Sequence, residues 1–453
     1  MYYNTFMDKI KQPSVAGTFY TNNATELKKQ IESFKKESRN SYEYPTRAVI
    51  VPHAGLIYSG RLAYEGISQL DKNIKNIFIF APAHRVGFDG VALSSFEYWL
   101  TPLGQIEINQ TINQELKEKF AAQFIDQAFE PEHSIEIQVP IIQYVFENVK
   151  IIPVLVGKTD YTIIKQIIET YYPDPNNGFV ISSDLSHFLT DEKAKQLDIT
   201  TAQMIESGNL NNFKFEQACG ALGIAGLVTF ANSKNYSLIR IDMNNSSAVT
   251  EDKTNVVGYG CWFLYEGQTN EFLKKYYSKS IIDICKYSIK AQFEKNDVQI
   301  KYPQVFNQIG ASFVTLEKNN NLRGCIGSII AHRSLILDIV MNAKNSAFND
   351  PRFNPVQKEE VEQLKIAVSI LSEPKPIKFT DENDLLNQMR PNIDGIIIKD
   401  GNYQAVYLPS VWEQLPDKKE FLNTLKIKAG LNPNYFSKTF EAYRFETVYI
   451  KET

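Results

Sequence analysis

From Arg47 onward, short continuous apolar runs alternate with stretches whose apolar residues recur at helical spacing. RAVIV (47–51), NIFIF (76–80), KIIPVLV (150–156) and GFVISS (178–183) are apolar almost throughout, as strands covered on both faces are. Between them, YTIIKQIIETYY (161–172) sets its isoleucines and tyrosines at helical spacing. This alternation predicts an α/β domain with helices layered on a central sheet that is largely parallel or mixed. GYGCWFLYEG (258–267) reads as the strand that closes this half.

A new pattern begins with the charged helical stretch EFLKKYYSKSIIDICKYSIKAQFEK (271–295). QIGASFVTLEKNNNLRGCIGSI (308–329) follows as two strand-like runs around an Asn-rich turn, and LKIAVSILSEPKPI (364–377) is strand-like again. These runs predict a smaller α+β domain built on an antiparallel sheet. The change of pattern falls between Gly267 and Asn270, giving domains 1–268 and 269–453.

At 453 residues, with 43% hydrophobic and 12% aromatic content, the chain can bury the cores of two or three domains. A net charge of −4 argues against a nucleic-acid partner, which needs clustered Lys and Arg. The nearest cluster, Lys35 to Arg39 in SFKKESRN, reads as a solvated helix face. No apolar run is long enough to span a membrane, and MYYNTFMDKIKQP lacks the apolar centre of a signal peptide, so a cytoplasmic protein is expected. Cys219, Cys261, Cys285 and Cys325 form no CxxC pair, disulfide framework or structural zinc spacing; they are expected to be reduced and available as ligand or nucleophile. No nucleotide-binding motif is present.

Four of the five histidines lie in short loop-like motifs at the ends of predicted strands: VPHAG (His53), APAH (His84), EHSIE (His133) and SSDLSH (His187). A histidine at the end of a buried strand brings its ring to the rim of the sheet, where ligands collect in open α/β folds. Any one alone reads equally well as a hydrogen-bonded structural histidine. Four in similar settings point to a metal or proton-transfer site. Neutral imidazole binds Fe, Zn or Cu, and such a cation needs an anionic donor, for which Cys219, Asp184, Glu132 and Glu136 are candidates. Cys219 opens the apolar helix of FEQACGALGIAGLVTF, where a helix N-terminus is expected to lower its pKa; the plainer reading is a small core cysteine.

Together with SVAGTFY (14–20), ALSSFEYWLTPLG (92–104), IIPVLVG (151–157) and ACG (218–220), these motifs occur in an order that resembles the Memo family over about residues 10–267. Memo-like proteins are in turn similar to class III extradiol dioxygenases, which hold non-haem Fe(II) with two histidines and a carboxylate. Residue by residue, the resemblance implies His53 and His84 as metal ligands with Cys219 in place of the carboxylate. It implies Fe(II) as the metal, with Cu as the alternative. His187 and Asp184 would stand beside the metal as acid/base groups, with His133 in the same cleft to orient a substrate or polarise an oxygen species. Two histidines and one anion with open positions suit O2 activation. Val15 replaces a histidine of the familiar pattern, and Ala221 and Leu222 replace an Arg-His pair; both changes remove polar groups from the cleft.

In the second half LRGCIGS (322–328), NDPRFNPV (349–356) and SFVTL (312–316) resemble AMMECR-type domains over roughly residues 275–451, an α+β family without an established activity. Read from the residues, Arg323 and Arg352 are permanent cations in Gly- and Pro-rich loops, where a guanidinium forks onto carboxylate or phosphate. Cys325 has the open backbone of a nucleophile, and Asp350 can orient Arg352; the alternative is a glycine-rich turn braced by an Arg–Asp pair. Memo-like and AMMECR-like proteins also occur beside a radical-SAM protein in the AmmeMemoRadiSam system, so the resemblance implies such a partner. Fusion raises the effective concentration of one domain at the other to roughly millimolar, which predicts a shared substrate or a joint surface.

Two functions follow. The first is a dioxygenase-like, metal-dependent redox enzyme acting on an unknown small molecule or peptide. The second is a peptide-binding module using the same cleft, favoured by the lost polarity at Val15, Ala221 and Leu222. Metal-independent acyl chemistry at Cys219 or Cys325 ranks behind both.

Overall fold

The computed structural model describes residues 9–38, 44–294 and 301–452. It divides into two compact units, Met1–Thr269 with Pro303–Val305, and Asn270–Tyr302 with Phe306–Thr453.

Nine strands of the first unit form one mixed sheet among the described residues: β1 Ala48–Val51, β2 Asn76–Pro82, β3 Val91–Leu93, β4 Gln123–Phe124, β5 Lys150–Val156, β6 Asn177–Ser182, β7 His187–Leu189, β8 Ser237–Asn245 and β9 Val256–Tyr265. Their order is β7-β9-β1-β6-β2-β5-β3-β4, with β8 also paired to β9. β1, β6, β2 and β5 run parallel to their neighbours, while β9 and β3 flank them antiparallel. The apolar runs of the sequence are these parallel strands, and β1 and β6 are buried at every position. Phe78, Phe80, Ile152, Val154, Phe179 and Ile181 of the sheet share one core with Ile164 and Leu227 from the helices Thr162–Tyr171 and Ala221–Lys234. Each such side chain contributes about 1.5–3 kcal/mol by leaving water.

Parallel neighbours end on the same rim. β1 runs out into His53, β6 into Ser183 and Asp184, and β2 into His84. Because β6 lies between β1 and β2, three adjacent strands about 4.8 Å apart deliver these groups side by side. Lys35 and Lys36 sit in the last turn of the helix Ala24–Glu37, where cations suit the helix end; Arg39 lies outside the described residues. No helix among the described residues is long and apolar enough to cross a membrane.

The helix expected over 271–295 covers Thr269–Lys290; residues 291–294 form a turn, and position 295 lies outside the described residues. Ile309–Lys318 and Asn321–Gly327 form an antiparallel hairpin whose turn residues Asn319 and Asn320 have φ 53° and 61°. Asn tolerates that left-handed backbone, which a two-residue hairpin turn requires. Lys365–Leu371 and Thr447–Lys451 extend this sheet antiparallel, and a second antiparallel sheet joins Lys375–Pro376, Glu441–Phe445, Gly395–Asp400 and Tyr403–Tyr407.

Asp198, buried on the helix Asp191–Ser207, props the loop that carries His187. Its Oδ1 accepts the Ser186 N–H at 3.0 Å, and a Cβ on Gly258 would lie 2.0 Å from its Oδ2, so only glycine fits there. Burial raises this carboxyl from 3.8 to about 6, against the hydrogen bonds from Ser186. The folded state therefore holds the proton more tightly than the unfolded chain; the resulting stability is fully present below pH 3.8 and is lost as the pH rises through about 6. Asp198→Asn keeps an acceptor for Ser186 without titrating. Wild-type stability relative to the variant should fall by about 3 kcal/mol between pH 4 and 7, measured as denaturant midpoints across that range; parallel profiles would refute this role.

Candidate metal centre

His53 is buried at the end of β1, its N–H donating to Asp184 Oδ1 at 2.7 Å. Its Nδ1 lies 3.0 Å from Ser182 Oγ, and that hydroxyl donates to the Ser134 carbonyl at 2.6 Å. With the hydroxyl proton committed, Ser182 accepts from Nδ1–H, which leaves the lone pair of His53 on Nε2. Burial, followed by repulsion from His84 and His133, pushes the His53 pKa well down, so the ring is neutral as a metal ligand must be.

Glu132 organises the other two rings. Its Oε2 accepts the His84 N–H at 2.6 Å, and its Oε1 accepts His84 Nδ1–H at 3.0 Å. The backbone N–H groups of His133 and Ser134 donate to the same Oε1 at 3.0 and 3.1 Å. His133 Nδ1 is 3.1 Å from this oxygen but off the line of a hydrogen bond. Burial alone would raise the Glu132 pKa; the groups of His133 and His84 that face it outweigh burial and hold the carboxyl well below the usual range. His84 thus presents Nε2 to the site, the arrangement in which a carboxylate orients a ligating imidazole. The ligand atoms of His53, His84 and His133 all lie within 4.8 Å of one another, so the three can hold a metal ion. Phe19 packs on His133 with ring centroids 4.7 Å apart.

Cys219 adjoins this group through His53, with Sγ 3.2 Å from His53 Nε2. The Asp184 N–H also points at the sulfur, at 3.3 Å. The helix Ala221–Lys234 begins just after it, yet its pKa is not lowered as expected: burial, then the charge of Asp184, pushes the thiol up to about 12. Burial also raises the Asp184 carboxyl, against hydrogen bonds from the His53 and Ala54 N–H groups. His187 opens β7 opposite Val257, outside the three-histidine group. Phe188 after it has φ 58° and is 74% exposed.

Glu136 offers no donor to the site. Its oxygens accept from Lys11 Nζ at 2.7 Å, the Ser14 and Val15 N–H groups at 2.8 and 3.0 Å, and the Tyr20 hydroxyl at 2.8 Å. The buried Lys11–Glu136 pair and the bonds from Ser14, Val15 and Tyr20 tie Lys11 and SVAGTFY to EHSIE. The anchoring work of Glu132 and Ser182 escaped the sequence reading, although a carboxylate directly preceding His133 was a usable signal.

A cavity of about 750 Å³ opens beside His84 and Cys219, at the ends of β2 and β5. Phe80, Val86, Phe88, Val156, Phe215 and Leu222 line it. Leu222 is thus the departure from the familiar pattern that makes a cavity wall, whereas Val15 is buried and held by its backbone.

In the second unit, LRGCIG is the second strand of the expected hairpin, so Arg323 lies on a strand and not in a Gly-rich loop. The strand's glycines permit close packing: a Cβ on Gly324 would lie 2.0 Å from the Ser346 carbonyl, and one on Gly327 would enter the Phe313 ring. Cys325, Asp350 and Arg352 come together. Asp350 accepts the Cys325 N–H at 2.8 Å and pairs with Arg352 at 2.7 Å, and Arg352 donates to the Cys325 carbonyl at 3.1 Å. Arg323 turns instead to Glu360, with two hydrogen bonds of 3.1 and 3.3 Å. Each guanidinium is therefore forked onto a carboxylate of the chain itself.

The first unit is a mixed α/β domain with a three-histidine cluster at the rim of its parallel strands. The chain belongs to the Memo-like family, whose profile matches residues 11–263, and it continues into a region matching AMMECR1 over residues 282–450. It is 31% identical to a MEMO1 family protein of Thermoplasma volcanium over 262 residues, covering 55% of this chain and 96% of that protein. A MEMO1 family protein of Methanococcoides burtonii is 33% identical over 268 residues, with 55% and 98% covered. Protein MEMO1 of Rattus norvegicus is 36% identical over 187 residues, covering 39% of this chain and 63% of that protein. Among solved structures, an uncharacterized protein of Pyrococcus horikoshii is similar at 27% identity over 38% of this chain and 89% of that one, with a TM-score of 0.36, too low to support a conclusion.

Glu136→Gln would leave Lys11 charged and buried without its partner. The first unit should lose about 3–5 kcal/mol, measured by denaturant unfolding, and adding Lys11→Met should recover part of the loss.

Proposed function

We propose that the chain is a metal-dependent redox protein that holds Fe(II), or alternatively Cu, between His53 and His84. In this reading Cys219 is the anionic donor, and His133 stands at the same site to orient substrate or move a proton. The observation that carries it is the clustering of three imidazoles within 4.8 Å, two with Nδ1 anchored by Glu132 or Ser182 and with Nε2 turned to the site. That donor set fits such an ion: a cation beside Cys219 reverses the local electrostatics and favours the thiolate over the thiol. Bound there, the metal would supply O2 activation. Asp184 and His187 are proposed as acid/base groups, Asp184 fixing the backbone of His53 and His187 receiving a proton from the cleft. A radical-SAM protein is proposed as partner, supported by the fusion of the two regions.

A second reading, a peptide-binding module, is favoured by the exposed rings of Phe188 and Phe215. Metal content separates the two. Anaerobically purified protein should carry about one iron or copper per chain, reduced below about a tenth by His53→Ala or His84→Ala. Cys219→Ser should weaken metal affinity about a hundredfold and His133→Ala about tenfold. Loss of metal in His133→Ala with retention in Cys219→Ser would assign the ion to the three histidines. Absence of metal after reconstitution would favour the peptide-binding module. Glu132→Gln should lower affinity about 10–100-fold through lost ring orientation, read by competition with a chelator.

A further inference from the structure

The sequence placed Ala221 and Leu222 where the familiar pattern carries Arg-His, and the structure puts Leu222 in the wall of the cavity beside His84 and Cys219. The wall around it is Phe80, Val86, Phe88, Val156 and Phe215. At about 750 Å³ the space falls within the range of small-molecule sites, and one of its walls is braced by backbone hydrogen bonds. The loop carrying Val86 and Phe88 is laced to the end of β5: Gly90 donates to the Lys158 carbonyl at 2.9 Å, Gly157 to the Gly90 carbonyl at 3.0 Å, and Lys158 to the Phe88 carbonyl at 2.8 Å. Gly157 is what allows this lacing, because a Cβ there would lie 2.3 Å from the Phe88 carbonyl. Phe215 is 64% exposed, an aromatic ring left in water at a cavity it lines.

We infer that this cavity takes a small molecule with an apolar, ring-sized or alkyl body, its polar reacting group turned to His84 and Cys219. The inference deepens the redox reading and rests on the cavity being the substrate side of that centre. Asp89, Lys158 and Thr159 supply the remaining polar lining, one charge of each sign. A nucleotide or sugar phosphate would set several anionic oxygens against phenylalanine and valine with one lysine to meet them, which disfavours both. An apolar body matches the lining and would cover Leu222 and Phe215, so these two residues determine specificity.

The test is equilibrium binding of the neutral fluorophore N-phenyl-1-naphthylamine to the full chain, metal-free and metal-loaded. Leu222→Arg and Phe215→Ser are measured alongside, with metal content and circular dichroism recorded for each. One saturable site per chain is expected, weakened about tenfold or more by Leu222→Arg and several-fold by Phe215→Ser, with metal content and spectra unchanged. Phe215→Ser, at an exposed position, keeps the test decisive should Leu222→Arg fail to fold. Absence of saturable binding to the wild type, or binding undiminished in a folded variant, would overturn the inference. Binding that follows the variants in a protein unable to hold metal would support the apolar site and refute the redox reading, so the two failures are distinct.

Discussion

An ionised carboxylate cannot stand alone in a protein interior, and Glu132 meets that constraint by collecting donors from two segments of chain. It holds the backbone and ring of His84 while its own neighbours His133 and Ser134 close around the same oxygen. Because those contacts outweigh the desolvation of Glu132, the carboxylate stays charged, and its charge fixes which imidazole nitrogen faces the site. Four residues on, Glu136 does comparable work for Lys11 and the segment Ser14 to Tyr20. One short stretch, EHSIE, therefore anchors both the candidate metal centre and the N-terminal segment beside it.

The two units treat charge differently. In the first, His53, His84 and His133 converge at the ends of the parallel strands, and His84 also lines the cavity beside them. In the second, Arg323 and Arg352 are spent on Glu360 and Asp350. Hydrogen bonds from Arg323, then Lys318, bring the Glu360 pKa down to about 2, as expected of carboxylates engaged in structural pairing. The glycines around Cys325 likewise answer to packing against Ser346 and Phe313. In the AMMECR1 region both guanidiniums are thus held by carboxylates of the chain itself.

Much of the fold was legible because its parallel strands are covered on both faces, and such strands must be apolar at every position. That is why NIFIF and KIIPVLV could be read directly. The hairpin at Asn319 and Asn320 was legible for a similar reason: its backbone excludes most residues. The second sheet of the smaller unit was not specified, since Lys375–Pro376 and Glu441–Phe445 join the local hairpin Gly395–Asp400 and Tyr403–Tyr407 from distant parts of the sequence.

The histidines and Cys219 could be picked out from their motifs alone. Their roles were a different matter, because burial and partners are not local properties. Cys219 was expected to have a lowered pKa from its helix position, and the desolvation it meets in the fold reverses the sign. Glu132 and Glu136, four residues apart, were equal candidates as donors until folding turned one to the rings and the other to Lys11. The sequence by itself determined which groups stand at strand ends, because hydrophobic runs and chain-local chemistry do that. Only the tertiary structure decided which of them meet, since the order β1-β6-β2 is set by packing between segments more than a hundred residues apart.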